Sequence, residues 1–548
     1  MSSGASTVYT PSVIPVKAQS GFLARLLTPT FSDCFYLAIL VWLFLAGASG
    51  WKALLMDGDT GWHIRAGEYI LNTGHVPATD LFSFSKPGAP WFAWEWLSDV
   101  TFAILFRWSG LKAVVLFCGV LIALFATVVL RFAIWRGANV SVAFPLAMLA
   151  VGSATIHFLA RPHLFTLVLL PAALWMLEAD RKKPSRLLWV LIPVTVLWTN
   201  LHGGFAIFLV CLALFAAGVA IESWLGNRPW DAVRRYSALC AACSVATLLN
   251  PYGWQLHWHI LQYLRSDWIR NLVQEFQAPT FRNEGQAQFE LLLVAGLILV
   301  GRLIAERRIV EVLWILFLAH SALGSVRHAP LYAAIAAPIL ASELTALWRS
   351  TLAGARRSSL SNILFQVGQD IQPMFRRVSF WAPAAVAVIA CIDAPIAWPE
   401  DFPKEAFPVQ MVHRHARLLN SSRVFTTDQW ADYLIYSFYP RQKVFFDGRS
   451  DFYGEGLGRE YLALLQGGYT ARQILERNRF DLVLIPVDWP LATILKQAGN
   501  WTVLEDDGHA ILFRAAADRG ALRASSDPSR TNEKPSTSRT NNRRTKAL

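Results

Sequence analysis

The sequence predicts a polytopic α-helical membrane protein with about eleven transmembrane helices, followed by a C-terminal extracytoplasmic α/β domain. Of the 548 residues, 54% are hydrophobic and only 16% are charged, against about 25% charged residues in ordinary soluble domains. Apolar runs that approach the roughly 20 residues of a membrane span recur along the chain up to residue 397. Beyond that point the pattern changes to short strands alternating with helices, which is typical of a small α/β domain.

The predicted membrane region covers residues 34–397 and follows a cytoplasmic N-terminal segment, 1–33. A short apolar stretch, 96–108, cannot span and ends at Ser109-Gly110, so we expect an interfacial helix that leads into the second span. The first loop outside the membrane is then 56–110. The eleven predicted spans are 34–55, 111–134, 139–157, 163–179, 187–200, 204–224, 236–250, 289–304, 309–323, 330–348 and 379–397.

The charged residues of the membrane region are sorted by side. Lys and Arg crowd the connections assigned to the cytoplasm, such as 181–186, 302–308 and the loop 349–378, whereas the short outer connections hold only Arg161 and Arg327. This asymmetry predicts a cytoplasmic N-terminus. We expect a multi-pass protein of a bacterial-type inner (plasma) membrane. The asymmetry also accounts for much of the net charge of +12, so the basic composition does not indicate a nucleic-acid partner.

An odd number of crossings places the rest of the chain outside the membrane. There we expect an α/β domain over 398–515 without cysteine and, from 516 to 548, a disordered basic tail. Asp447, Arg449 and Asp451 follow a predicted strand, where they either form a ligand site or an internal Asp–Arg pair that closes the loop. The predicted strands are 422–427, 443–446, 480–487, 501–505 and 509–514, with a helix at 429–438.

Acidic residues are concentrated in the first outer loop. Asp57 and Asp59 come directly after the first span, and two carboxylates at this spacing can share a divalent cation, or one can act as a base while the other orients it. His63 follows closely, and Glu95 lies among aromatic residues at headgroup depth. The alternatives are a simple turn for Asp-Gly-Asp and a salt-bridged anchor for Glu95.

Further polar residues lie at the other outer corners of the helices. Because charges at membrane depth are costly and tend to be functional, the group predicts a pocket for anionic ligands. The arginines suit phosphate, because a guanidinium offers a bidentate fork. Any single histidine can instead have a purely structural role. The candidates for substrate or phosphate binding are Arg161, His163, His202, Arg327, His328 and Glu95.

These features together resemble the GT-C superfamily of polyprenyl-phosphate-dependent glycosyltransferases, which includes protein O-mannosyltransferases, aminoarabinose transferases and oligosaccharyltransferases. The resemblance rests on Asp57 and Asp59 after the first span, on Glu95 before the interfacial helix, and on the architecture over roughly 30–515. Many relatives carry a second acid beside a proline in the loop after the third span. This chain has Arg161-Pro162 there instead.

The resemblance implies an inverting transfer of a sugar from a polyprenyl-phosphate donor to an extracytoplasmic glycan, lipid or protein. Asp57 would serve as the base or orient the acceptor, with Asp59 in support, and Arg161, Arg327 and His328 would hold the phosphate. A divalent cation, Mg²⁺ or Mn²⁺, would have Asp57, Asp59, Glu95 and His63 as its candidate ligands.

Two other classes of protein compete with this interpretation. A secondary transporter predicts inverted repeats and ionisable residues near the middle of the membrane. The sequence has no clear internal repeat, and its polar residues cluster at one face. A non-catalytic membrane scaffold predicts no functional role centred on Asp57.

Overall fold

The computed structural model describes residues 26–46, 50–226, 229–282, 285–352, 356, 358–377, 379–391 and 396–516. Most of the predicted N-terminal segment and the predicted tail from residue 517 lie outside these residues. The described chain packs into two compact units. The first contains the residues up to Ser421 together with Thr426–Tyr461, and the second contains Ser422–Phe425 and the residues from Leu462 onward. This division does not follow the predicted boundary at residue 398, and the predicted domain limits stay a prediction.

The first unit is helical. Every one of the eleven predicted spans overlaps a helix. Its helices are α1 Phe31–Val41, α2 Asp59–Thr73, α3 Trp96–Arg136, α4 Val140–Ser153, α5 His163–Lys182, α6 Leu191–Leu201, α7 Phe205–Trp224, α8 Trp230–Ala246, α9 Trp254–Arg265, α10 Asp267–Leu272, α11 Gln286–Ala305, α12 Ile309–Gly324, α13 Ala329–Leu352, α14 Leu360–Arg376, α15 Trp381–Cys391, α16 Val409–Arg414, α17 Ala416–Asn420 and α18 Asp428–Phe438.

Several of these helices have the length and apolarity of membrane spans. Within the described ranges five qualify, and a sixth does if α14 and α15 are counted as one bent span. These helices make the protein a multi-pass membrane protein, while the predicted number of eleven crossings is not confirmed. The shorter apolar helices, such as α4 and α12, fall below the length of a full span.

Helix α3 is the centre of this unit. Val114, Phe125 and Phe132 on its second half are completely buried. The predicted break at Ser109-Gly110 is present: Gly110 has φ +61°, a conformation that costs a residue without a Cβ little. The segment before the break packs against α2, where Gly67 approaches Asp99 and Ala103. Because α2 begins at Asp59, the second acid of the motif, this contact brings the first loop against the bundle.

Buried ion pairs tie the other ends of the helices together. Arg181 of α5 donates to Glu222 of α7 at 2.6 Å, and Arg308, directly before α12, pairs with Glu343 of α13. Arg136 at the end of α3 pairs with Glu178 of α5. Some of the basic residues predicted to face the cytoplasm therefore have buried carboxylates as partners.

Two local predictions need correction. The loop 349–378 contains helix α14, whose buried residues Phe365, Gly368 and Phe375 share one face and pack on α1 and α4. Residues 443–446 do not form a strand of the sheet. Val444 makes only an isolated bridge to Ser83 of the first loop. In both places partners distant in the sequence decide the structure, and local apolar patterning does not reveal them.

The second unit contains a four-stranded sheet with the order β1-β2-β4-β3, apart from Thr426 at the end of β1. The strands are β1 Val424–Thr426, β2 Leu482–Pro486, β3 Trp501–Asp506 and β4 Ala510–Ala515. The pairs β2–β4 and β3–β4 are antiparallel, and β3 and β4 form the predicted closing hairpin. Helix α19, Ser450–Leu465, leads into this unit, which also contains α20 Ala471–Asn478 and α21 Pro490–Gln497.

Candidate functional site

The acidic motif of the first loop is held in a tight turn at the start of α2. The backbone N–H of Asp59 donates to Asp57 Oδ1 at 2.9 Å. Between them, the N–H of Gly58 donates to Gln429 Oε1 of α18 at 2.7 Å. A Cβ on Gly58 would stand only 2.4 Å from the carbonyl oxygen of Gln429, so glycine is required for this close approach. The Asp-Gly-Asp sequence thus fixes both carboxylates against α18.

Arg161 binds both carboxylates of this motif. Its Nη1 lies 2.9 Å from Asp57 Oδ2, and its Nη2 lies 2.8 Å from Asp59 Oδ2. The loop that carries Arg161 is tied to the motif because the N–H of Ala160 donates to the carbonyl of Leu54 at 2.7 Å. The predicted phosphate-binding arginine therefore has the two predicted catalytic residues as its partners.

Asp59 is the more deeply buried of the two acids, with 7% of its side chain exposed against 13% for Asp57. Burial raises the pKa of Asp59 to about 7; the positive charge of Arg161 opposes this shift, and Asp57 adds to it. Among the described residues its Oδ1 has no hydrogen-bond partner. This oxygen faces Gly448, where a Cβ would lie 2.0 Å from it and 2.8 Å from Asp432 Oδ2.

A second set of polar groups lies around Glu95, which directly precedes α3. Its Oε1 is 3.6 Å from His202 Nε2, and its Oε2 is 3.9 Å from His63 Nε2. A hydrogen bond of 2.6 Å joins His63 Nδ1 to Asp99 Oδ1 on α3. Burial, followed by the nearby positive charge of Arg161, holds the pKa of His63 well below its ordinary value, so the ring is neutral.

The tautomer of His202 follows from its contacts. The N–H of Gly204 donates to His202 Nδ1 at 3.0 Å, and the hydroxyl of Thr166 lies 2.7 Å from the same nitrogen. Nδ1 is therefore an acceptor, and a neutral ring carries its proton on Nε2, the atom that faces Glu95. Burial, followed by the charge of Arg327, lowers the pKa of His202 to about 3, which keeps the ring neutral.

Glu95 should make the stability of the folded protein depend on pH. Burial raises the pKa of Glu95 to about 8, although Arg161 and Arg327 oppose this shift. The unfolded chain binds fewer protons than the folded chain between about pH 4.5 and pH 8, so the stability falls as the pH rises through this range. In the Glu95→Gln variant the side chain at this position does not titrate. The melting temperature of this variant should exceed the wild-type value at pH 8 by a few degrees, with a smaller difference at pH 5.

Thermal unfolding of the purified protein at both pH values measures this effect. Glu455→Gln is a matched control, because Glu455 is more than half exposed and pairs with Arg459 on the same helix. A difference between Glu95→Gln and wild type that is the same at pH 5 and pH 8 would contradict the prediction.

Arg327 forms a third contact group with Glu275, a residue that the sequence did not single out. Arg327 Nη1 is 3.5 Å from Glu275 Oε1, and its guanidinium lies 4.4 Å from the centre of the Phe276 ring. Burial alone would raise the pKa of Glu275, but Arg327 and Arg161 outweigh it and hold the pKa at about 2. Glu275 is therefore ionised.

The remaining candidate histidines bind backbone carbonyls. The Nε2–H of His163 donates to the carbonyl of His157 at 2.7 Å, and the Nε2–H of His157 donates to that of Arg327 at 2.8 Å. His328 Nδ1–H donates to the carbonyl of Ser321 at 3.2 Å. These contacts fix the loops that carry Arg161 and Arg327. They are structural contacts, of the kind that the sequence analysis gave as the alternative for any single histidine.

The sequence also missed the acids of α18. Asp428 and Asp432 are four residues apart and so share a helix face, a signal that could have been found. The N–H of Gly448 donates to Asp432 Oδ1 at 3.2 Å. Burial, followed by the charges of Asp59 and Asp447, raises the pKa of Asp432 well above its ordinary value.

The loop after Gly448 contains the predicted Asp–Arg pair. Arg449 Nε donates to Asp447 Oδ1 at 2.8 Å, and its Nη2 donates to Asp80 Oδ1 of the first loop at 2.8 Å. Its guanidinium stacks near the rings of Trp91 and Phe82, at 4.6 and 4.9 Å. The internal pair is thus confirmed, and it also locks this loop to the first loop.

The predicted metal ligands do not form one donor set. Asp57 and Asp59 face the guanidinium of Arg161, whereas His63 is bonded to Asp99. Within the described residues no three His, Cys, Asp or Glu side chains are arranged to hold a metal ion. One oxygen of each carboxylate, Oδ2, already binds the guanidinium, so Asp57 and Asp59 as they stand do not fit a divalent metal held between them.

No protein-family model matches the chain, and no curated protein matches it. Solved structures do match. The oligosaccharyltransferase of Archaeoglobus fulgidus in its apo form is 12% identical, with a TM-score of 0.54 over 84% of this chain and 69% of that chain. A structure of AglB, the archaeal oligosaccharyltransferase from the same organism, in complex with an inhibitory peptide and a dolichol-phosphate has a TM-score of 0.52 at 12% identity, over 89% of this chain and 74% of that one.

A third structure, the Archaeoglobus fulgidus enzyme tethered to an acceptor peptide with the NVT sequon, has a TM-score of 0.54 at 12% identity and the same coverage as the AglB complex. At this identity the likeness concerns the fold. The chain therefore has an oligosaccharyltransferase-like fold, and the resemblance to the GT-C superfamily that the sequence predicted is confirmed at that level.

Proposed function

We propose that this protein is an integral-membrane glycosyltransferase that moves a sugar from a polyprenyl-phosphate-linked donor to an extracytoplasmic acceptor. The observation that carries the proposal is the pair of carboxylates, Asp57 and Asp59, fixed at the start of α2 in an oligosaccharyltransferase-like fold. A neighbour with this fold was solved with a dolichol-phosphate, which supports a lipid-linked donor for this chain as well.

Asp57 is our candidate for the base or orienting group of the acceptor. Its side chain is the more exposed of the two, and each of its oxygens accepts one hydrogen bond from the protein, which leaves lone pairs for an acceptor hydroxyl. The acceptor oxygen forms its bond to the anomeric carbon while the bond to the lipid phosphate breaks, and the phosphate leaves with the electron pair. The acceptor proton goes to Asp57, and the configuration inverts.

Arg327 and His202 are our candidates for stabilising the departing phosphate. Arg327 pairs with Glu275 at 3.5 Å, which is longer than the pairs made by Arg161, so its charge is the less fully matched of the two. His202 adds a neutral N–H donor at Nε2. Donors that are already in place stabilise charge that develops in the transition state.

Localisation follows from the same proposal. We place the protein in a bacterial-type plasma membrane, with the N-terminus in the cytoplasm and residues 398–515 outside, where the acceptor is. A tag placed in the loop at Gly508, which is exposed at a hairpin turn, should be accessible to a membrane-impermeant reagent in intact cells. Protection of this tag until the membrane is opened would contradict the topology.

The function is tested with the purified protein in sealed vesicles, supplied with labelled polyprenyl-phosphate sugars and extracts of candidate acceptors. Transfer of the label from lipid to acceptor supports the proposal. Uptake of sugar or ions without transfer would identify a transporter instead. Neither transfer nor uptake with any donor would favour a non-catalytic scaffold.

A further inference from the structure

Arg161 lies in the loop before α5 and bridges two acids. Its two terminal nitrogens contact two different carboxylates, Asp57 at 2.9 Å and Asp59 at 2.8 Å. Both carboxylates come from one Asp-Gly-Asp turn, and three-quarters of the arginine side chain is buried. The guanidinium thus stands between two paired acids, where a divalent cation would otherwise bind them.

We propose that the guanidinium of Arg161 takes the place of a divalent cation in this site, so that Asp57 and Asp59 bind no Mg²⁺ or Mn²⁺ and transfer does not require either ion. The catalytic half of this inference rests on the proposed function. The exclusion of the cation does not, because it concerns binding alone.

The contacts of both acids support this exchange. Asp57 Oδ2 and Asp59 Oδ2 accept from Arg161, and Asp57 Oδ1 accepts the N–H of Asp59. A metal ion that took these oxygens would have to displace the guanidinium and leave a buried charge without its partners, which is strongly unfavourable.

The loop of Arg161 is also hydrogen-bonded to the acidic turn's neighbours. Thr60 Oγ1 donates to the carbonyl of Ala160 at 2.9 Å, and the N–H of Ala160 donates to Leu54 at 2.7 Å. These bonds join the loop to the residues on either side of the acidic turn. The backbone next to Arg161 is therefore held beside the acidic turn, which places the guanidinium within reach of both carboxylates.

The side chain must be arginine and not merely a cation. A guanidinium is planar and offers parallel N–H groups from two nitrogens, whereas the ammonium of lysine is a single point. Only the guanidinium, with N–H groups on two nitrogens, can hold two separate carboxylates at fixed positions and in fixed orientations. Lysine at this position should therefore keep the charge and still lose the geometry.

Binding of Mn²⁺ to the full-length purified protein, followed by electron paramagnetic resonance, tests the exclusion of the cation. The wild type should show no Mn²⁺ site that Asp57→Asn removes. Arg161→Gln frees both carboxylates and should gain one Mn²⁺ per chain, which the double variant Arg161→Gln/Asp57→Asn should lose again. Arg161→Lys is the matched control and should gain none, since it keeps a positive charge beside the acids.

One Mn²⁺ in the wild type that disappears in Asp57→Asn would overturn the inference, and this measurement does not depend on any Arg161 variant folding. Failure of a folded Arg161→Gln to gain the site would also count against it.

If the wild type transfers sugar, a chelator should change its rate by less than about 2-fold, while Arg161→Lys should be slower by about 10²–10³-fold. Loss of wild-type transfer in chelator would overturn the catalytic half. Absence of any transfer would refute the proposed function and leave the binding result standing.

Discussion

Asp57→Asn should lower the rate of sugar transfer by about 10³-fold, in the middle of the range for removal of a general base. Asparagine has nearly the same shape and can still accept the N–H of Asp59, which is 2.9 Å away in the wild type. It cannot take a proton from the acceptor. The loss should therefore appear in kcat more than in KM, measured as initial rates with a labelled donor in vesicles.

Asp59→Asn provides the comparison within the motif. Because the pKa of Asp59 is about 7, its side chain is already partly neutral at neutral pH, and we expect a smaller loss than for Asp57→Asn. Asp267→Asn is the external control, since Asp267 is 80% exposed and pairs with Arg270, and it should leave the rate unchanged. Full activity of a normally folded Asp57→Asn protein would refute the role of Asp57.

Gly67→Ala should have the largest effect on stability. Helices α2 and α3 approach so closely that a Cβ on Gly67 would lie 1.9 Å from the carbonyl oxygen of Asp99 and 2.8 Å from Ala103 Cβ. The oxygen belongs to the backbone of α3, so relief requires the helices to separate. We expect a loss of about 3 kcal/mol, at the upper end of ordinary overpacking, together with a weaker contact between Asp99 and His63.

Thermal unfolding in detergent measures this loss. Gly301→Ala on α11 is the matched control, because a Cβ there would meet no heavy atom within 4 Å and alanine favours helix. Its melting temperature should equal or exceed that of the wild type. A Gly67→Ala protein with the same melting temperature as the wild type would contradict this close approach of α2 to α3.

The helices of the membrane region could be predicted from the sequence with useful accuracy. The segment predicted at 204–224 is observed as Phe205–Trp224. This agreement has a physical reason, since backbone groups in lipid must be satisfied within a helix and apolar runs therefore mark helices directly. Helix α14 lacks such a run. Its buried residues are spaced along one face, and its neighbours in the fold decide its place.

The candidate site could be predicted only in part. The polar residues at the outer helix ends included Asp57 and Arg161, which are in contact in the structure, but the sequence predicted phosphate and not a carboxylate as the partner of Arg161. A guanidinium fork suits phosphate and carboxylate alike, and the choice depends on which loops meet. Arg161 and Asp57 are 104 positions apart, and no local pattern contains that information.

The contact between the acidic turn and α18 also gives the site an order of assembly. Gln429, which holds the N–H of Gly58, is synthesised 371 residues later, and Gly448, which faces the carboxylate of Asp59, comes later still. A nascent chain that has inserted all its apolar helices still has an open acidic turn. With the predicted topology, closure waits for the C-terminal part to be translocated, so a chain interrupted before that point is inserted in the membrane with its acidic turn still incomplete.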